Sequence, residues 1–314
     1  MYIIKKWLLF LLDSVFFLIF ASFKCFLNFY NKISSKNLPK SQKSLINAKK
    51  LVTFETIYSR FEAEFIKNNS NTFYYRPLPG IDFQIERQII FLQGLAKFNL
   101  EIEQHLDKVY KTSEIEKIAD EFLYKLVRYL QSETILEIGL ECSSCAIVNT
   151  ARKLNRNLDG KHSRYQFFDT QIYPFDKSLD GIQEKMSDFD EKIVDSILNL
   201  KSGDLLIINI TESIPCQNAL VDLLLNILPR LNSGVYVKFK GLFTPYDLSD
   251  KWIKWNVSFW NFQYLLESAI SCSYKYEVIF SMYLLQKQHS NDIKRLFLIT
   301  NEVEMDGTFL IKTV

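Results

Sequence analysis

Between residues 51 and 131 the apolar positions recur mostly at helical spacing, with one interruption. The interruption is Phe73-Tyr-Tyr-Arg-Pro-Leu-Pro-Gly80, a turn-rich aromatic segment suited to packing on the helices or walling a pocket. Ser113-Glu-Ile-Glu116 has the form of a capping box and predicts a helix with Ile118, Phe122, Leu126 and Leu130 on one face. The period then shortens. Thr134-Ile-Leu-Glu-Ile138 is β-branched and aliphatic, Gly139 follows, and residues 146–154 are amphipathic, an order that predicts strand, tight turn and helix. Residues 165–169 predict a second strand and 191–200 a helix. The continuous apolar run 205–210 predicts a strand covered on both faces. A helix over 218–231, a strand over 235–240, a long aromatic loop over 241–259 and a helix over 260–269 come next. Residues 276–285 and 293–300 read as a closing strand pair. Alternating strands and helices predict an α/β fold, a doubly wound, mostly parallel Rossmann-like sheet with an N-terminal helical extension. The implied divisions are an apolar helix (1–30), a basic linker (31–50), a helical preamble (51–131) and the Rossmann-like domain (132–314).

Composition adds a second theme. The chain has 314 residues, 48% of them hydrophobic, with only 9 Gly and 7 Pro, so it folds rather than staying disordered. The net charge of +2 hides an asymmetry: residues 1–54 hold nine lysines and one acid, a net +8, which leaves −6 for the rest. A basic arm on an acidic body argues against nucleic acid as a partner and fits contact of residues 1–50 with anionic membrane lipid. Residues 7–23 form an apolar run interrupted by Asp13, which at mid-span costs about 2.5–3.5 kcal/mol. Lys6, Asp13, Lys24 and Asn31 fall on one helical stripe, as in an interfacial helix or a span facing a partner. If the run spans, the lysines after it place the body in the cytoplasm.

The five cysteines and three histidines are scattered, and no metal site is expected from their spacing. Cys142-Ser-Ser-Cys145 suits either a redox dithiol or two small residues at a helix entry. The informative stretch is the turn after residue 138. Free N–H groups at a helix start, beyond the carboxyl end of a strand, mark the ligand crevice of open α/β sheets.

That stretch resembles the first motif of class I S-adenosylmethionine-dependent methyltransferases, a hydrophobic strand followed by Glu-x-Gly-x-Gly-x-Ser. Glu137 and Gly139 match, Ser143 fills the small polar position, and Glu141 replaces the second glycine. Further segments follow in order: Leu200-Lys-Ser-Gly-Asp-Leu-Leu-Ile-Ile208, Ile227-Leu-Pro-Arg-Leu-Asn-Ser-Gly-Val-Tyr-Val237, Phe243-Thr-Pro-Tyr246 and Trp260-Asn-Phe-Gln-Tyr-Leu-Leu266. With Tyr173-Pro174 and Gly307-Thr-Phe-Leu-Ile-Lys312 they are similar to a bacterial group of these enzymes associated with surface polysaccharides. The resemblance implies S-adenosylmethionine as cofactor, held around Glu137, Gly139, Glu141, Ser143, Asp169, Gln171 and Asn209. The acceptor it implies is a sugar hydroxyl or another small polar group.

The polar positions depart from the group. Ile208-Asn-Ile-Thr-Glu212 stands where the group has Ile-Asp-Ser-Ser-His, and Lys238-Phe-Lys-Gly241 where it has His-x-His-Asp. Gln171 replaces a ribose-binding acid, with Asp169 nearby. Glu212 and His162 are the substitute catalytic candidates, Asp169 a further one. The same departures suit an alternative, a catalytically inactive, membrane-tethered binding or scaffolding module on the same fold.

Overall fold

A computed structural model of the chain describes residues 75–105, 114–139, 144–169, 182–185, 189–209, 219–247, 262–297 and 307–314. All belong to one compact unit, Ser70–Val314. The apolar and basic N-terminal segments and the capping serine Ser113 lie outside the described residues. Among the described residues no helix is long and apolar enough to cross a membrane.

Among the described residues three helices come first: α1 (Ile85–Ala96), α2 (Asn99–His105) and α3 (Glu114–Leu130). The sheet then begins with β1 (Thr134–Ile138), α4 (Ser144–Asp159), β2 (Arg164–Asp169) and β3 (Ile182–Lys185). It continues through α5 (Glu191–Leu198), β4 (Leu205–Ile208), α6 (Ala219–Asp222) and β5 (Tyr236–Phe239). Helix α6 runs on through a π turn (Leu223–Ile227) and a 3-10 turn (Leu228–Arg230). Last come α7 (Phe262–Ile270), β6 (Tyr276–Ser281), α8 (Met282–Gln288), α9 (Ser290–Leu296) and β7 (Phe309–Thr313).

The seven strands among the described residues lie in the order β3-β2-β1-β4-β5-β7-β6. The first five pair in parallel, and β7 runs antiparallel to both β5 and β6. The chain winds outward from β1 through β2 to β3, then returns to the far side of β1 for β4 and β5. This is a doubly wound, Rossmann-like α/β sheet, and its winding reverses between β1 and β4.

Period-2 alternation sends successive strand residues to opposite faces. Ile135, Leu205, Ile207 and Leu310 pack with α1, α3, α4, α8 and α9. Leu136, Ile138, Leu206, Ile208, Val237 and Ile311 pack with α5, α6 and α7. Ile118, Phe122 and Leu126 of α3 are buried on the sheet as their spacing predicts, so the preamble shares a core with the strands. Local chemistry sets the boundaries. The Asp190 carboxylate accepts the Ile193 N–H at 2.9 Å and caps α5. The buried Asp204 carboxylate accepts the Thr134 and Lys201 N–H groups, both at 2.7 Å, and ties the start of β4 to the start of β1.

Four features differ from the reading of the sequence. Strand β3, Ile-Gln-Glu-Lys, carries no apolar run because it is an edge strand with a single neighbour. The expected strand over 293–300 is helical from 293 to 296, and the partner of β6 is the chain's last segment, β7. Residues 282–285 are helical rather than extended. The segment after residue 74 contacts the loop following β5 and the α7 region: Tyr75 bridges Tyr246, Arg76 N–H donates to Pro245 O at 3.0 Å, and Gly80 O accepts the Cys272 N–H at 2.7 Å.

Candidate functional site

The winding reverses between β1 and β4; open α/β sheets hold their ligand crevice beyond the carboxyl ends of the strands at such a point, and Gly139 stands there. Gly139 has φ 77°, a conformation that side-chain-bearing residues rarely adopt. Its N–H donates to Phe168 O on β2 at 2.9 Å. The Asn209 N–H, one residue past β4, donates to Ile138 O at 2.9 Å. The ends of β2, β1 and β4 are thus held together around the glycine.

Glu137 organises this corner from beneath. It points to the α3/α4 face of the sheet and is 0% exposed. Its Oε1 accepts from Ser144 Oγ at 2.5 Å and from Asn209 Nδ2 at 2.6 Å, and its Oε2 accepts from the Tyr165 hydroxyl. Asn209 Nδ2 also donates to Gly139 O at 3.0 Å. One buried carboxylate therefore links β1, the first residue of α4, β2 and the residue after β4. With both oxygens engaged by protein donors, Glu137 acts on the crevice through the loop it holds. Burial first, and the neighbouring Glu137 carboxylate second, push the Tyr165 phenol well above its ordinary value. The same two causes push the Cys145 thiol up to about 11. A buried thiol that resists ionisation is the reverse of a redox dithiol's attacking sulfur, so Cys145 belongs to the packing of the helix entry.

Asp169 ends β2 and is mostly buried. It stands one strand over from Gly139, about 5 Å away in the pairing direction. Lys240 leaves the carboxyl end of β5, and its N–H donates to Ile208 O at 3.2 Å. The structure thus brings Glu137, Gly139, Asp169 and Asn209 to one edge. Glu141, Ser143, Gln171 and Glu212 lie outside the described residues. His162 is not brought to this edge. It precedes β2, so the six residues of that strand, roughly 20 Å of chain, separate it from Asp169. A catalytic role for His162 in the crevice is corrected by that placement.

Sequence reasoning missed three contributors. Ser144 and Tyr165 bond Glu137 from 7 and 28 residues away, and only the strand register places them there. Arg76 is the third. Its guanidinium donates to Glu267 Oε1 at 2.5 Å, pairs with Asp247 and lies 4.9 Å from the Tyr264 ring centroid. Thr244 Oγ1 donates to the same Glu267 oxygen at 2.6 Å. Gln263 Oε1 accepts the Phe243 N–H, and its Nε2 donates to Tyr246 O, both at 2.7 Å. These bonds fix residues 243–247, the loop that leaves β5 on the crevice edge. The signal was the lone arginine within Tyr74-Tyr-Arg-Pro77, a charge that an aromatic segment has to pair. Among the described residues no group of His, Cys, Asp and Glu is arranged to hold a metal ion.

No protein-family model matches the sequence, and no curated protein matches it. Solved structures match at low identity. CmcI in its apo form is 10% identical with a TM-score of 0.37, over 63% of this chain and 71% of that one. CmcI with Mg and SAM is 12% identical with a TM-score of 0.37, over 65% and 72%. The O-methyltransferase TomG from Streptomyces achromogenes, in complex with SAM, is 13% identical with a TM-score of 0.33, over 71% and 88%. Likenesses of this size do not transfer what those proteins bind or act on.

Proposed function

We propose that this chain is an S-adenosylmethionine-dependent methyltransferase of the class I type, with the cofactor in the crevice beyond β1 and β4. The observation that carries the reading is the Glu137–Ser144–Asn209–Gly139 linkage at the point where the winding reverses. It holds a glycine turn with positive φ where backbone must approach a ligand closely. The described residues fit the cofactor. Gly139 presents backbone without a Cβ, and the Asp169 carboxylate, at the next strand's end, is of the right chemistry to accept ribose hydroxyls. S-adenosylmethionine supplies a methyl group on a sulfonium, a reaction that needs chiefly alignment of donor and acceptor. The protein's part is then to shape the first loop, hold the ribose and exclude water behind the braced 243–247 wall. A small polar acceptor, such as a sugar hydroxyl, is the substrate class this reading carries, with residues 1–50 keeping the body at an anionic cytoplasmic membrane surface.

A second reading has its own observation. Asn209, at the position of the group's acid after the fourth strand, directs its amide hydrogens to Glu137 and to Gly139 O. A side chain committed to holding the loop is what a catalytically inactive binding or scaffolding module would retain.

Calorimetric titration of S-adenosylmethionine into the full chain decides between them. The methyltransferase reading expects micromolar binding that Gly139→Arg abolishes and exposed Arg230→Ala leaves intact, followed by methyl transfer to a saccharide panel. Cofactor binding without transfer favours the module. No saturable heat up to millimolar cofactor, from protein with the expected circular dichroism, removes both the cofactor and the enzyme. Flotation with anionic vesicles tests the membrane arm: loss of flotation on deleting residues 1–50 is expected, and unchanged flotation overturns that part.

A further inference from the structure

The opposite edge of the sheet carries a different kind of site. Helix α4 closes on Gly160, at φ 63°, and the Lys161 N–H donates back to Asn155 O at 3.1 Å. This turn brings His162 and Ser163 alongside the helix they follow. Asn149, Arg152, Lys153 and Arg156 stand at spacings of three and four on α4, so they share one stripe that faces the turn. Together the six side chains line a cavity of about 280 Å³.

Its chemistry is one-sided. Three lining residues carry fixed positive charge, a fourth is an imidazole, and no carboxylate is among them. This stands out on a body whose net charge after residue 54 is −6. The cluster is also built rather than merely solvated. Arg152 is 9% exposed, and its guanidinium donates to Asn149 Oδ1 at 2.5 Å and to Ser163 O while lying 5.6 Å from the Tyr165 ring centroid. Ser163 Oγ donates to Ser132 O at 2.5 Å, which anchors the turn to the residues before β1. A fixed guanidinium flanked by two exposed cations, Lys153 and Arg156, is an arrangement that recognises a phosphoryl group.

We propose that this cavity binds the phosphate of a small, polar phosphate monoester of the sugar-phosphate kind, at a site separate from the crevice. The lining narrows the class. Its one ring is the His162 imidazole, with no Phe, Tyr or Trp to make a stacking platform for a nucleobase, and it has no aliphatic side chain that an acyl chain would contact. The volume is close to the lower end of small-molecule sites, about 300 Å³, and exceeds what a bare phosphate needs. The Ser163 hydroxyl, whose proton goes to Ser132 O, keeps oxygen lone pairs to accept from a hydroxylated remainder, while buried Asn149 holds Arg152 in place. The proposal depends on no part of the methyltransferase reading.

The test is calorimetric titration of the full chain with glucose 6-phosphate, beside inorganic phosphate, glucose and vesicles containing phosphatidic acid. Saturable binding of glucose 6-phosphate is expected, tighter than inorganic phosphate, weakened by added salt and absent for glucose. The exposed pair Lys153→Ala and Arg156→Ala, made together, is expected to weaken it at least about tenfold. Arg230→Ala is expected to leave it unchanged, and far-UV circular dichroism of the double variant to match the parent. The proposal is overturned by no saturable heat with glucose 6-phosphate, by equal binding in the double variant, or by binding confined to the vesicles.

Discussion

Replacing Glu137 tests the corner on which the crevice is built. Three protein donors converge on its carboxylate: Ser144 Oγ, Asn209 Nδ2 and the Tyr165 hydroxyl, in surroundings with no exposed surface on Glu137 itself. Glu137→Gln keeps the shape and one acceptor oxygen but loses the charge and sets an amide NH2 against one of the donors. Hydrogen bonds to a charged group contribute about 1.5–3 kcal/mol and neutral ones about 1, so this change costs about 1–3 kcal/mol. Glu137→Ala removes every acceptor. An orphaned buried donor costs about 1–3 kcal/mol, and two of the three are hydroxyls that can turn elsewhere, so the expected loss is about 3–6 kcal/mol. Urea unfolding followed by far-UV circular dichroism measures both. Tyr165→Phe completes a double-mutant cycle with Glu137→Ala, and their losses should fall short of additivity by about 1 kcal/mol or more. A Glu137→Ala protein within about 0.5 kcal/mol of the parent, or fully additive losses, would refute the corner as described.

Four further outcomes follow from other parts of the molecule. A thiol raised from 9.0 to about 11 contributes its full stabilisation below pH 9 and loses it as pH climbs through 11. Unfolding free energy should therefore fall over that window by at most about 3 kcal/mol, less so in Cys145→Ala, and native Cys145 should resist a thiol reagent that labels exposed Cys272. In α3, Lys125 is 1% exposed and paired with Glu121, and burial lowers the lysine's pKa while raising the carboxyl's. Glu121→Gln should cost about 3 kcal/mol in chemical unfolding by leaving the ammonium without that charge, whereas replacing both by leucine and methionine should cost far less. Arg128 spans both Glu101 oxygens, Asp159 and Asn155 from a buried position, so Arg128→Lys, which lacks the planar fork, should lose about 2 kcal/mol. A Cβ at Gly307 would meet the Leu242 backbone at 2.5 Å, so Gly307→Ala should lower thermal stability by about 1–3 kcal/mol, and an unchanged melting temperature would contradict that close approach.

Alternation of period-2 and period-3.6 segments by itself determined the α/β class. It did so because each element buries a face and writes that burial into its own residues. The run Leu205-Leu-Ile-Ile208 declared a covered strand, and Gly139 after Ile138 declared the turn on which the site stands. Where burial is incomplete the message fades. Edge strand β3 has one neighbour and a polar sequence, and the run 293–300 reads as a strand although its first four residues close a helix. Tertiary structure alone decided which polar groups meet. Glu137 is bonded by residues 7, 28 and 72 positions away, and Arg76 reaches Glu267 across 191. It also set His162 at the edge away from Asp169 and among the cations of α4. Local pattern records how a segment meets the core. The partner of a single charge depends on strand order and register, which no short window of residues contains.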